Sequence, residues 1–305
     1  MEVLYVLENL RFGLLDKVMQ FITEFGSETV FLALALVTYW CVDKRQGYYL
    51  VTVGFLGTIF NQFLKLLCLV PRPWVKDPSF TVVESARADA TGFSFPSGHS
   101  QSAVGVFGVV ARSTKRGWLR WVSIALMVLV PFSRMYLGVH TPQDVLVGGL
   151  SALVLVFALR PVVYSRKKWA FPALMGLMIA CGLAYVGYVE FAHFPQEMDA
   201  ENLAHGVKNA WTLLGAMLAF LLAYGVDEKY LRFEVKAIWW AQVLKVALGL
   251  GLTVGLKALL KLPLVALMGD VGYCHGIRYF LVVLFAAMLW PMTFKWFSAL
   301  GGKDK

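Results

Sequence analysis

Three short polar blocks interrupt an otherwise apolar chain. The first is Lys65, six residues and then Arg72-Pro73; the second is Pro96-Ser97-Gly98-His99; the third is Ser133-Arg134, five residues, His140, three residues and Asp144. In the third block, Thr141 and Pro142 form a helix N-cap and first-turn pair. A helix starting there puts Asp144 one turn past His140 on the same face. A carboxylate beside an imidazole holds its tautomer and makes one ring nitrogen a better nucleophile. In the second block a helix is predicted to begin near Ser97. Its free N–H groups and dipole suit a phosphate, Gly98 permits close approach, and His99 stands ready to donate a proton. In the first block Lys65 sits near the end of an apolar run, where charge is costly, and Arg72 is fixed between Pro71 and Pro73. Arginine can grip phosphate oxygens bidentately.

Each block alone has a plainer reading: a capped helix end for His140 and Asp144, a turn for the second block, a snorkelling side chain for Lys65. Together they place three cations (Lys65, Arg72, Arg134), two histidines, two hydroxyls (Ser97, Ser133) and one aspartate on one membrane face. Phosphoryl transfer needs that set: positive donors around the equatorial oxygens, with attacking and leaving groups in line. The cations take the place of a metal, no Cys/His spacing suits zinc, and neither a metal nor a cofactor is expected.

The elements that must position these residues are membrane spans. The chain has 305 residues, 59% of them hydrophobic and 15% charged, and its mean hydropathy is +0.66. Such a composition excludes disorder, and four cysteines are too few for a disulfide-stapled miniprotein. A nucleic-acid partner is not expected despite a net charge of +9, because the charges stand in clumps between long apolar runs. The fold class is all-α, a polytopic helical bundle. Spans of about 20 residues are expected at 27–43, 47–70, 98–113, 118–138, 141–160, 169–190, 206–226, 236–260 and 277–300, nine in all. Residues 1–26 read as an N-terminal amphipathic helix, lying in the membrane interface or packed on the protein, with Leu15, Val18, Met19, Ile22 and Phe25 at helical spacing. The acidic start, without a clean apolar core, does not read as a cleavable signal peptide. Residues 27–165 form the expected catalytic core of five spans, and 166–305 a four-span extension.

The basic surplus reads as topology. One alternating set of loops carries Lys44 and Arg45, Arg112 to Arg120, Arg160 to Lys168, Lys229 to Lys236, and Lys303 and Lys305, and outweighs the other set in cations. That set is expected in the cytoplasm with the C-terminus; the N-terminus and the three blocks are expected outside, in a cell membrane. Two of the outer loops, 71–97 and 132–142, are dense in polar residues.

The three blocks, complete and in order, resemble the signature of the type-2 phosphatidic acid phosphatase superfamily, over about residues 45–160. The resemblance implies roles at matching positions. His140 would be the nucleophile, forming a phosphohistidine, and Asp144 would orient it. His99 would protonate the leaving oxygen and then help water attack the intermediate. Lys65, Arg72, Ser97, Gly98 and Arg134 would hold the phosphate. The expected function is a metal-independent membrane phosphatase for a lipid phosphate or diphosphate, meeting its phosphorylated lipid among the membrane lipids. A nine-span layout with few spans before the first block is similar to glucose-6-phosphatases, so a soluble sugar phosphate is the nearest alternative. A phosphotransferase using the same intermediate is another, and a transporter is the alternative of a different class.

Residues 165–305 carry no comparable motif. His193, His205 and His275 read as solvated loop residues. Lys245 reads as a mid-span charge facing the bundle interior, with a role near substrate as a further hypothesis. Gly249, Gly251 and Gly255 read as helix-packing positions, and Trp239, Trp240, Trp290 and Trp296 as interfacial belts. The scattered cysteines Cys41, Cys68, Cys181 and Cys274 give no reason for pairing.

Overall fold

A computed structural model describes residues 1–88, 90–194 and 200–300. The expected cytoplasmic cations Lys303 and Lys305 lie outside them. Among the described residues all regular structure is helical. The helices are α1 (Glu2–Glu8), α2 (Gly13–Glu24), α3 (Glu28–Val37), α4 (Lys44–Cys68), the single turns α5 (Pro73–Lys76) and α6 (Glu84–Arg87), α7 (Gly98–Ser113), α8 (Gly117–Tyr136), α9 (Pro142–Val163), α10 (Ala170–Phe191), α11 (Ala200–Val226), α12 (Trp239–Leu259), α13 (Lys261–Met268), α14 (Gly272–Leu284) and α15 (Phe294–Ala299). Among the described residues, seven helical segments are long and apolar enough to cross a membrane, or eight if α2 and the stretch Glu28–Val42, bent by 45°, count as one broken span. The protein is a multi-pass membrane protein.

The count falls short of nine for identifiable reasons. The expected span at 98–113 is the 16-residue α7, shorter than the ~20 residues that cross a bilayer. Its middle, Ser100 to Val109, is buried in protein, so lipid thickness does not set its length. The expected span at 27–43 starts beyond a break at Gly26, where an added Cβ would stand 2.7 Å from the His99 carbonyl oxygen.

The chain divides into two compact units: Met1–Leu34, Tyr49–Pro161 and Met198–Leu203 in the first; Ala35–Tyr48, Val162–Glu197 and Ala204–Lys305 in the second. In the first, α7 lies along α8, and α2 packs on α8 as well. The N-terminal segment is two helices rather than one, broken around Arg11. That guanidinium is occupied in the break: Nε donates to Tyr136 O at 2.8 Å and Nη1 to Thr81 O at 2.8 Å. Its positive charge sits on the C-terminal carbonyls of α8, the favourable end for a cation. Helix α2 packs Leu15, Met19 and Ile22 against Tyr136, Leu137 and Val139, while Leu14 and Phe21 stay 71% and 66% exposed. It therefore packs on the unit with one face and offers a second apolar face outward. Along α9, Leu146, Leu150, Val154 and Phe157 form an exposed apolar stripe at helical spacing, as a lipid-facing surface requires.

In the second unit, Tyr39 and Trp40 donate to the carbonyls of Ala287 (3.1 Å) and Ala286 (3.0 Å). Those carbonyls belong to a π-turn, Phe285–Leu289, where the helical ladder is displaced and side chains must fill in. Lys44 pairs with buried Asp227 at 2.6 Å, and the Tyr48 hydroxyl donates to the same carboxylate at 3.1 Å.

Four expectations for this half change. Lys245 is fully buried, but it lies two turns into α12, donates to Val235 O at 3.1 Å and stands 4.4 Å above the Phe294 ring. A carbonyl and an aromatic face account for its charge. Trp290 is buried among Phe285, Phe294 and Phe297 rather than at an interface, whereas Trp239, Trp240 and Trp296 are exposed. Gly249 is a packing position, since a Cβ would stand 2.8 Å from Trp40; Gly251 and Gly255 face open space. His193 and His205 are exposed, but His275 is buried in α14 with its Nε2 2.5 Å from Asp270 Oδ1.

Candidate active site

The three blocks meet inside the first unit, where α4 ends, α7 begins, α8 ends and α9 begins. Each terminus has a local cause. Helix α4 ends after Cys68, and Leu69, at φ 50, turns the chain toward Pro71. Ser97 caps α7: its Oγ accepts from Ser100 N at 3.3 Å and from the Ser100 hydroxyl at 2.9 Å. Thr141 and Asp144 cap α9 reciprocally, with Thr141 N donating to Asp144 Oδ2 at 2.8 Å and Asp144 N to Thr141 Oγ1 at 3.4 Å. Between α8 and His140 the chain turns at Gly138, φ 81, where a Cβ would stand 2.7 Å from Arg11 Nη2. Only glycine fits both the backbone angle and the space.

Backbone contacts lock the blocks together. Ser97 N donates to Asp144 O at 2.9 Å, and Ser94 N to Val70 O at 2.8 Å. The Ser94 hydroxyl donates to Asp144 Oδ2 at 2.5 Å. Asp144 is thus held by Ser94 and Thr141, with the same oxygen 3.5 Å from His140 Nδ1.

Arg72 is the hub. Nε donates to Gly92 O at 3.0 Å, Nη2 to Thr91 O at 2.7 Å, and Nη1 to Val139 O at 2.9 Å. Nη1 also lies 2.9 Å from His140 Nε2. Arginine can only donate, so Nε2 is the lone-pair nitrogen and the ring proton sits on Nδ1, facing Asp144. Burial, and then the positive charges of Arg72, Arg134 and Lys65 with His99 nearby, hold His140 well below the usual histidine range. The ring is therefore neutral at pH 7, and its Nε2 lone pair accepts from Arg72, a donor that a bound phosphate would draw away.

Lys65 donates to Phe93 O. The carbonyls of Thr91, Gly92 and Phe93 thus occupy two of the cations where an anionic ligand would compete for them. Arg134, buried at the end of α8, donates to Thr23 Oγ1 of α2 at 2.9 Å. Ser133 does not join the site; its hydroxyl donates to Val130 O of its own helix at 2.7 Å. Sequence reasoning missed Thr23, Ser94 and the three carbonyls, which carry no spacing signal. It also passed over Asn61, a polar residue one turn before Lys65 in an apolar run, which was legible.

Thr23→Val should remove one acceptor from buried Arg134. The expected loss is about 1–3 kcal/mol of stability, read by thermal unfolding, together with weaker competitive inhibition by inorganic phosphate. Unchanged values in both would remove Thr23 from the support of the site.

A helical membrane bundle here gathers three cations, two imidazoles and a carboxylate at one set of helix ends, groups of the kind that a phosphate ester requires. The description PAP2 superfamily matches residues 45–168, and PAP2 superfamily phosphatase, transmembrane extension, matches residues 211–303. The chain is 33% identical to undecaprenyl-diphosphatase BcrC of Bacillus subtilis over 150 residues, covering 48% of this chain and 73% of that one. It is 32% identical to phosphatidylglycerophosphatase B of the same organism, with coverage of 48% and 73%. To glucose-6-phosphatase 3 of Rattus norvegicus it is 24% identical, covering 49% of each chain. No solved structure matches it. The chain belongs to the PAP2 superfamily and is a membrane hydrolase of phosphate esters.

Proposed function

We propose that the protein hydrolyses a lipid phosphate or diphosphate through a phosphohistidine at His140. The observation that carries this reading is the His140 ring itself: neutral, with Nε2 turned to Arg72 at 2.9 Å and Nδ1 turned to Asp144 at 3.5 Å. Substrate phosphate displaces the carbonyls from the cations and is held by Lys65, Arg72, Arg134 and the N-terminus of α7 at Ser97 and Gly98. His140 Nε2 attacks phosphorus while the bond to the leaving oxygen breaks, and His99 gives that oxygen its proton. Deprotonated His99 then takes a proton from water, whose oxygen attacks phosphorus and breaks the N–P bond. Inorganic phosphate leaves and both histidines return to their starting states. The charge is met by side chains, without a metal.

Lipid substrates are favoured by two observations. Two relatives are named for undecaprenyl diphosphate and phosphatidylglycerophosphate. Helix α9, which begins at the site, bears the exposed stripe from Leu146 to Phe157, so an apolar tail can lie along it with the head at His140. Residues 27–165 then act as the catalytic core and 166–305 as its extension, with α2 in the interface. The site and N-terminus face outward and the cationic loops inward.

The test is phosphate release by purified protein from undecaprenyl diphosphate, phosphatidylglycerophosphate and glucose 6-phosphate, with and without EDTA. A preference for the lipids of at least tenfold in kcat/KM, unaffected by EDTA, is expected. Preference for glucose 6-phosphate would overturn the lipid reading, and a loss with EDTA that added metal restores would overturn the metal-free mechanism.

A further inference from the structure

We infer that Asn61 is a further phosphate-binding residue, its side-chain amide donating to a phosphoryl oxygen held at the N-terminus of α7. The inference deepens the proposed phosphatase reading and rests on it.

Asn61 lies on α4 four residues before Lys65, so the two share a helix face. It is 2% exposed, yet neither Nδ2 nor Oδ1 has a hydrogen-bond partner. A buried amide with both ends unmet costs about 1–3 kcal/mol, and native proteins rarely leave one without a use. A ligand accounts for it here because of what the amide faces. A Cβ placed on Gly98 would lie 3.7 Å from Asn61 Oδ1, with no other heavy atom of its surroundings within 4 Å. Along that direction the gap beside the first residue of α7, leaving aside α7's own backbone and the residues flanking Gly98, meets Asn61 alone. Rotation about the terminal torsion exchanges oxygen for nitrogen, which turns the donor toward that gap.

Chemistry favours an amide at this place. Three cations already surround the site, and a fourth would add a large desolvation cost and mutual repulsion. A neutral donor adds a hydrogen bond to the bound anion without adding charge. A carboxylate in its place would repel the phosphate.

The test uses orthovanadate as a tetrahedral oxyanion probe on the full-length purified protein. Its affinity is read from thermal stabilisation and from competitive inhibition of phosphate release. Asn61→Leu should weaken vanadate about tenfold or more, the worth of one hydrogen bond to a charged group. The unfolding midpoint of the ligand-free variant should stay the same or rise, because an unmet polar group is replaced by an apolar one of similar size. Asn61→Asp, nearly isosteric, should weaken vanadate still further and provides the measurement if the leucine variant does not fold. Vanadate affinity within twofold of the parent in either folded variant would overturn the assignment. So would a lower midpoint in ligand-free Asn61→Leu, the mark of an amide already bonded within the fold. A parent protein that binds no vanadate would instead overturn the phosphatase reading of the whole site, and this inference with it.

Discussion

His140→Ala should reduce phosphate release on the order of 10⁴-fold or more, the scale seen when a covalent nucleophile is deleted. The fold should survive. Without the ring, Arg72 keeps its bonds to Thr91 O, Gly92 O and Val139 O, and Asp144 keeps its bonds from Ser94 and Thr141. Two measurements separate loss of chemistry from loss of structure. The thermal midpoint should move little, and rapid quenching with radiolabelled substrate should trap an acid-labile phosphoenzyme in the parent and none in the variant. Substantial remaining turnover, or labelling that persists in the variant, would refute the nucleophile assignment. The parent's pH profile supplies a further check. His140 works as a neutral ring and is held well below its usual value of 6.5, so protonation silences it only at lower pH. The acid limb of kcat/KM contributed by this group should fall below pH 6.5, not above it.

His99→Ala should cost about 10²–10⁴-fold, and the cost should depend on the leaving group. An alkoxide leaving from a lipid monophosphate needs a proton in the transition state. A lipid monophosphate leaving from a diphosphate is a far weaker base and needs it less. The variant should therefore lose most activity on lipid monophosphates, which release an alkoxide, and least on diphosphates or on p-nitrophenyl phosphate. Uniform loss across all three would recast His99 as a binding residue. His99 is the second residue of α7, directly after Gly98, and burial with the charges of Arg134, Arg72 and Lys65 holds the ligand-free ring below the usual histidine range, so the acid role requires a bound phosphate anion to keep its proton in place.

How much of this was legible depends on range. Lys65, Arg72, His99, Arg134, His140 and Asp144 stand at spacings that locate helix ends, and helix ends are local events. The helix starts at Ser97 and at Thr141-Pro142 follow from a few adjacent residues and formed as expected, and Asp144 closes the second by pairing with Thr141. Apolar run length announced a multi-pass helical bundle. The same reading erred where packing, rather than lipid, decides. Helix α7 has the expected bounds, 98–113, but at 16 residues within protein it does not count as a full span. Trp290 is buried among Phe285, Phe294 and Phe297 and His275 beside Asp270, and Lys245 is satisfied by a carbonyl and a ring that its own helix does not supply.

By itself the sequence determined the class of chemistry, the candidate residues for it and the helical framework, because each is encoded in residue type and short spacing. Only the tertiary structure decided which nitrogen of His140 accepts from Arg72, that Ser94 holds Asp144, that Thr23 supports Arg134, and that Asn61 has no hydrogen-bond partner among the described residues. Those facts depend on contacts between segments tens to more than a hundred residues apart. Periodicity cannot report such contacts, since they arise only when the helix ends are packed together.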